Sequence, residues 1–198
     1  MAGSVLGMPF GYPVVLDLTD VPVLMVGGGQ IASRKVAGLL AAGARVTVVA
    51  PMVLAELAAQ VHEVRERPYD AVDLAGHRLV MTATDVPEVN AQVGRDATAI
   101  GVWVNSADDP DNCSFILPAV TRRGPVVVAV GTDGSSPALA RHLRDRIAAE
   151  LLTPEVEAAA FELARQRAEF HAQGISTETV DWTGRLRDAL QGSTVAHE

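Results

Sequence analysis

The stretch VPVLMVGGGQIASRKVAGLLAAGARVTVVAP, residues 21–51, constrains the fold more than any other part of the chain, because it fits one unit of strand, sharp turn, helix and second strand. Residues 23–26 make an apolar run short enough for a buried parallel strand, and the run breaks at Gly27-Gly28-Gly29. A helix is expected at once afterwards. Gly43 should stop it, and the β-branched residues 45–49 supply the next strand. Gly27, Gly29 and Ala32 fit the G-x-G-x-x-G/A spacing: the first glycine turns the chain, the second admits a pyrophosphate against the backbone, and the small third residue lets helix pack on strand. The N–H groups at the helix start then face the phosphates. A triple glycine also serves where only a sharp reversal is needed, but a strand before and a helix after favour a dinucleotide site. One element is missing. The second strand ends Val48-Val49-Ala50-Pro51 with no acid for the adenosine ribose, and Glu56 lies beyond the usual position, so the choice between NAD and NADP is not readable from a side chain.

Downstream the same alternation continues: a helix over 52–59, a strand over 61–66, a helical turn over 70–74, a strand over 79–81, a helix opened by Pro87 to about 99, and a strand over 102–104. This is α/β order, and it predicts a Rossmann-like doubly wound parallel sheet. Ligands of such sheets bind outside the carboxyl ends of the strands. Gly27 to Ile31, Ala50-Pro51, Thr82 to Asp85 and Asn105 to Asp108 are therefore expected in one crevice. After Asp111 the pattern changes. Residues 113–117 and 126–130 are strand candidates with Thr121-Arg122-Arg123-Gly124 as the turn between them, a connection too short for a parallel crossover, so an antiparallel pair is expected. Ser136-Pro137 opens a helix to about 151, another follows Pro154 to about 172, and a last one lies near 183–190.

Composition excludes several functions. With 198 residues, 48% of them hydrophobic, the chain can bury a substantial core, yet no run reaches the ~20 apolar residues of a membrane helix. No membrane role is expected. The first twelve residues hold no Lys or Arg and no signal-type apolar segment, so export is not expected either. The single cysteine, Cys113, excludes a disulfide framework and fits the reducing cytoplasm, where it reads as a small buried apolar residue. A formal charge of −8 argues against nucleic acid as partner. None of His62, His77, His142, His171 and His197 stands in a metal-ligand spacing, and no metal is expected.

Four segments in this order carry a family resemblance: Tyr12 to Leu18, the glycine segment, VNSADDPDNCSFILPAV and GSSPALARHLRDRI. Together they resemble precorrin-2 dehydrogenase, both the stand-alone enzyme and the N-terminal module of sirohaem synthase, over roughly residues 12–152. The resemblance implies NAD as cofactor, oxidation of the tetrapyrrole precorrin-2 to sirohydrochlorin on the way to sirohaem, and a homodimer; some family members also insert iron. The alternatives are a bifunctional dehydrogenase that is also a sirohydrochlorin ferrochelatase, and a sensing module with the same glycine turn and no chemistry, which would not need the Asp108 loop. The organisation expected is an NAD-binding domain over 1–112, a small α+β dimerisation and substrate region over 113–152, and C-terminal helices over 153–198, whose apolar stripe of Val156, Ala159, Ala160, Leu163 and Phe170 is core or dimer surface.

Carried over residue by residue, the family's NAD site falls on Gly27, Gly28, Gly29, Gln30, Ile31, Pro51 and Met52, with Thr84, Asp85 and Asn105 joining from the other strand ends. The acid of its Asn-x-x-Asp-Asp-Pro stretch falls on Asp108, a candidate base for the proton that must leave as a hydride is transferred. Asp108 to Asn112 is also what a tight polar turn looks like, and Asp109 is the neighbouring candidate. Arg122, Ser136 and Arg141 are candidate contacts for the substrate's carboxylates, while Arg34 and Lys35 are expected to face solvent or a second subunit.

Overall fold

The computed structural model describes residues 11–107 and 112–192. The chain divides into two compact units, one spanning Pro13–Leu117 and the other running from Pro118 onward. The first is built from β1 (Pro22–Val26), α1 (Gln30–Ala41), β2 (Arg45–Ala50), α2 (Ala55–Ala58), β3 (Glu63–Glu66), a 3-10 turn (Ala71–Leu74), β4 (Leu79–Thr82), α3 (Pro87–Ile100) and β5 (Trp103–Asn105). Its five strands are all parallel, in the order β3-β2-β1-β4-β5. The doubly wound α/β architecture is thus as expected. Register aligns the strand ends: Val26 lies opposite both Val49 and Thr82, and Met81 opposite Asn105. The loops after β1, β2, β4 and β5 therefore leave the sheet on one edge.

The central strands read as apolar runs because both faces of the sheet are covered. Val23 and Met25 of β1 join Ala32, Val36, Val46, Val48 and Leu57 in one cluster, while Leu24 and Val26 join Val49, Leu74, Val80, Val93, Ala97 and Val104 in the other. Each fully buried Val, Leu or Met contributes about 1.5–3 kcal/mol. At the β3 edge a buried acid fastens the sheet to the 3-10 turn. Asp73 accepts from Arg65 at 2.9 Å, from Arg67 Nη1 at 2.8 Å and from the Asp70 N–H at 3.0 Å. The bonds from Arg67 first, and then that backbone N–H and Arg65, bring its carboxyl down to about 2 against the opposing effect of burial.

Three expectations are corrected. The helix expected over 52–59 is the single turn Ala55–Ala58, since the chain before it bends at residues 51 and 52 and is tied to the glycine loop: the Leu54 N–H donates to the Gly28 carbonyl at 2.9 Å. The strand expected over 113–117 does not form. Ser114 instead folds back on β5, its N–H donating to the Val104 carbonyl at 2.8 Å and its hydroxyl accepting from the Val104 N–H at 2.6 Å. The strand before the hairpin is β6 (Ala119–Arg123), paired antiparallel with β7 (Val126–Val130), so Thr121, Arg122 and Arg123 lie in the strand. The turn is Gly124-Pro125, where the left-handed φ of +50° at Gly124 suits a residue without Cβ.

In the second unit α4 (Pro137–Glu150) packs on both strands of the hairpin, and α5 (Pro154–Ala172) packs on α6 (Trp182–Gly192). Phe170 meets Trp182 edge to face at 6.1 Å and carries the Arg185 guanidinium 4.8 Å above its ring. Among the described residues no helix is long and apolar enough to cross a membrane.

Candidate functional site

The three glycines after β1 do different work. Gly27 has φ +123°, and a Cβ there would lie 2.4 Å from the Ala83 carbonyl oxygen. A Cβ on Gly28 would lie 2.2 Å from the Met52 carbonyl oxygen and 2.8 Å from Val53 Cα. Both positions are closed by backbone, so the fold itself demands glycine. Gly29 is unlike them: a Cβ would meet nothing within 4 Å, and its φ of −92° is open to any residue. It is the N-cap of α1, yet no side chain caps this helix and its first turn holds no acid. The first N–H groups of a helix lack partners within it, and the helix end favours an anion. Space in front of Gly29 with uncapped N–H groups behind it fits a pyrophosphate. Ala32, fully buried, gives the close helix-to-strand packing.

The remaining cofactor candidates lie around this loop. Gln30 and Ile31 form the first turn of α1, with Ile31 half exposed. Pro51 and the well exposed Met52 follow β2 directly beneath Gly28. Thr84 and Asp85 follow β4 beside Gly27. Asp85 is exposed, whereas the Thr84 hydroxyl donates toward Asn90 Oδ1 at 2.9 Å and the Val86 carbonyl at 3.0 Å, and Asn90 donates back to the Thr84 carbonyl at 3.0 Å. That exchange braces the start of α3. Asn105, at the end of β5, is buried with its amide engaged by protein: Nδ2 donates to the Phe115 carbonyl at 3.0 Å, and Oδ1 accepts from Lys35 Nζ at 2.7 Å.

Lys35 corrects the sequence reading. It is half buried and reaches from α1 to the end of β5 instead of facing solvent. Helical spacing carried the signal, because Lys35 stands three residues after buried Ala32 and next to buried Val36, on the inward side of α1. Cys113 is likewise more than an apolar filler. Half buried, its thiol accepts from the Ser106 N–H at 3.1 Å and lies 3.4 Å from the Ser106 carbonyl as donor. Buried Thr82 meets the Ser106 hydroxyl at 3.2 Å and accepts from the Ala107 N–H at 3.2 Å. Asn105, Ser106 and Ala107 thus leave the sheet through a fully bonded polar base. Asp108 and Asp109 lie outside the described residues.

The substrate candidates belong to the second unit. Ser136 caps α4, accepting from the Leu139 N–H at 3.2 Å. Of the basic residues on or near α4, Arg144 pairs with Asp145 and Arg146 with Glu150, which leaves those two cations neutralised locally. Arg122 and Arg141 are exposed and make no ion pair among the described residues.

Comparison with known proteins agrees with this geometry. A family model described as putative NAD(P)-binding matches residues 14–119, and one described as sirohaem biosynthesis protein, central, matches residues 123–150. A siroheme synthase of Methylococcus capsulatus is 49% identical over 139 residues, covering 68% of this chain and 29% of the relative. One from Methylobacillus flagellatus is 47% identical over 146 residues, covering 72% and 31%. This chain therefore spans less than a third of the length of these relatives. A solved structure of SirC, precorrin-2 dehydrogenase, superposes with a TM-score of 0.74 at 28% identity, over 92% of this chain and 98% of that one. The chain belongs to the putative NAD(P)-binding family, and it is similar to the siroheme synthases and to SirC.

Proposed function

We propose that this protein uses NAD to oxidise precorrin-2 to sirohydrochlorin on the way to sirohaem. The observation that carries the proposal is Gly29: its neighbours Gly27 and Gly28 are fixed by backbone packing, whereas nothing in the fold needs glycine at 29. A dinucleotide pyrophosphate explains the open space. Gly27 to Ile31 hold it, Pro51 and Met52 border the adenosine side, and Thr84, Asp85 and Asn105 border the other. When bound, NAD supplies the hydride acceptor. The chain then has to position the macrocycle and take a proton from it. Asp108 is the residue proposed for that proton, carried on a segment whose base is fixed by Thr82, Ser106 and Cys113. Arg122 and Arg141, with their exposed guanidiniums, and Ser136 are proposed for the substrate's carboxylates. The matches to siroheme synthases and to SirC support the substrate. A cytoplasmic homodimer completes the proposal.

The test mixes the protein with NAD and enzymatically generated precorrin-2 and follows NADH. Saturable NADH formation is expected. Asp108→Asn should lower turnover by roughly 10² to 10⁴, the usual contribution of general acid–base catalysis, with cofactor affinity hardly changed. Asp109→Asn is the internal control, and a crippled Asp109→Asn beside an active Asp108→Asn moves the assignment by one residue. No NADH from wild-type protein that binds both ligands would overturn the proposal.

A further inference from the structure

The strand β2 ends without the acid that dinucleotide-binding sheets ordinarily place there for the adenosine ribose, and by sequence spacing Glu56 comes too late to replace it. The fold removes that objection. Residues 51–54 do not run on from the sheet. Gly28 sits against the Met52 and Val53 backbone, closer than any Cβ allows, and the Leu54 N–H donates to the Gly28 carbonyl at 2.9 Å. This tie brings the chain back to the glycine loop, and α2 starts there with Glu56 in its only turn.

A long-range side-chain bond then fixes the carboxylate. Gln30 Nε2, on the first residue of α1, donates to Glu56 Oε1 at 3.0 Å. Gln30 directly follows Gly29, so this carboxylate stands at the edge of the pyrophosphate cradle. It is on the β2 side, where topology puts the adenosine half of a dinucleotide whose phosphates lie at the start of α1. Its second oxygen, Oε2, takes no hydrogen bond among the described residues. The carboxylate is thus oriented by one oxygen and open at the other. A ribose 2′-hydroxyl can donate to such a group, whereas a 2′-phosphate would be repelled by it.

Resting on the reading of the glycine loop as a dinucleotide site, we propose that Glu56, positioned by Gln30, is the residue that selects NAD over NADP in this chain. The competing acid is Glu66, at the end of β3 opposite Ala50, which has no bond to the glycine loop among the described residues.

Direct titration of the protein with NAD and with NADP at low ionic strength, by calorimetry, tests this without relying on turnover. Wild type should bind NAD more tightly. Glu56→Gln should weaken NAD by about tenfold, the low end for a charge-assisted hydrogen bond at an exposed site, while NADP binding stays or improves. Glu66→Gln should leave both within about twofold, as expected for a group that touches neither ligand. An unchanged NAD-to-NADP ratio in Glu56→Gln, the same loss in Glu66→Gln instead, or a wild-type preference for NADP would overturn the assignment while leaving the dinucleotide site intact. If wild type binds neither dinucleotide, the dinucleotide reading fails and the assignment falls with it.

Discussion

The two units bury their apolar residues very differently. In the unit Pro13–Leu117, β4 is buried at every position and β1 at all but its first, with apolar clusters on both sheet faces. In the unit from Pro118 onward, β6 and β7 alternate half-buried with exposed residues, and the 19-residue α5 buries only Ala159. Leu151, Phe161 and Leu186 stay largely exposed. The first unit closes a core of its own on both faces of its sheet. The second buries few apolar side chains of its own, Ala140, Leu152 and Ala159 among the described residues, and the proposed homodimer would supply the cover that it lacks.

The contrast can be broken most severely at the glycine loop. Gly28→Ala forces a Cβ into the backbone of residues 52 and 53 and should destabilise the first unit by about 3 kcal/mol or more, read by denaturant unfolding. Loss of that size would confirm that the loop belongs to the core and not to a tolerant surface turn.

Asp73→Asn comes next. It keeps the shape but leaves Arg65 and Arg67 without their buried acceptor, and should cost on the order of 2 kcal/mol. The same bond has a pH signature. The folded carboxyl titrates at about 2, below its ordinary 3.8, so its contribution is present above the ordinary value and is lost as pH falls from there toward 2. Wild type should therefore lose stability across that window by more than Asp73→Asn does. Parallel acid titrations of the two proteins would refute this.

The smallest effect on the first unit is expected from removing the least buried part of the second. Truncation after Leu152 should convert a dimer into a monomer on light scattering while shifting the unfolding of the first unit by less than ~0.5 kcal/mol. A retained dimer places the interface outside α5 and α6.

Much of the first unit was legible because backbone sterics write themselves into sequence. Only a closely covered turn needs Gly27 and Gly28, and only a sheet covered on both faces needs runs like those of β1 and β4. What stayed hidden depended on side chains meeting across long separations. The bond from Lys35 to Asn105 spans 70 residues and that from Gln30 to Glu56 spans 26, and neither has a local pattern to reveal the partner. The misplaced strand at 113–117 has a related cause. Its apolar character is real, but Ser114 satisfies β5 by its own hydroxyl and so ends the pairing that apolarity alone predicts.

If Gly29 is kept open for a dinucleotide and not for the fold, NAD titration of Gly29→Asp shows it most directly. Asp is a favoured N-cap residue, and the added Cβ meets nothing, so the variant should unfold at the same denaturant concentration as wild type or slightly higher, by a few tenths of a kcal/mol. Its carboxylate would occupy and repel the pyrophosphate position, so NAD binding should be abolished. A folded Gly29→Asp protein that binds NAD as tightly as wild type would contradict the account, leaving the glycine loop as a turn and nothing more.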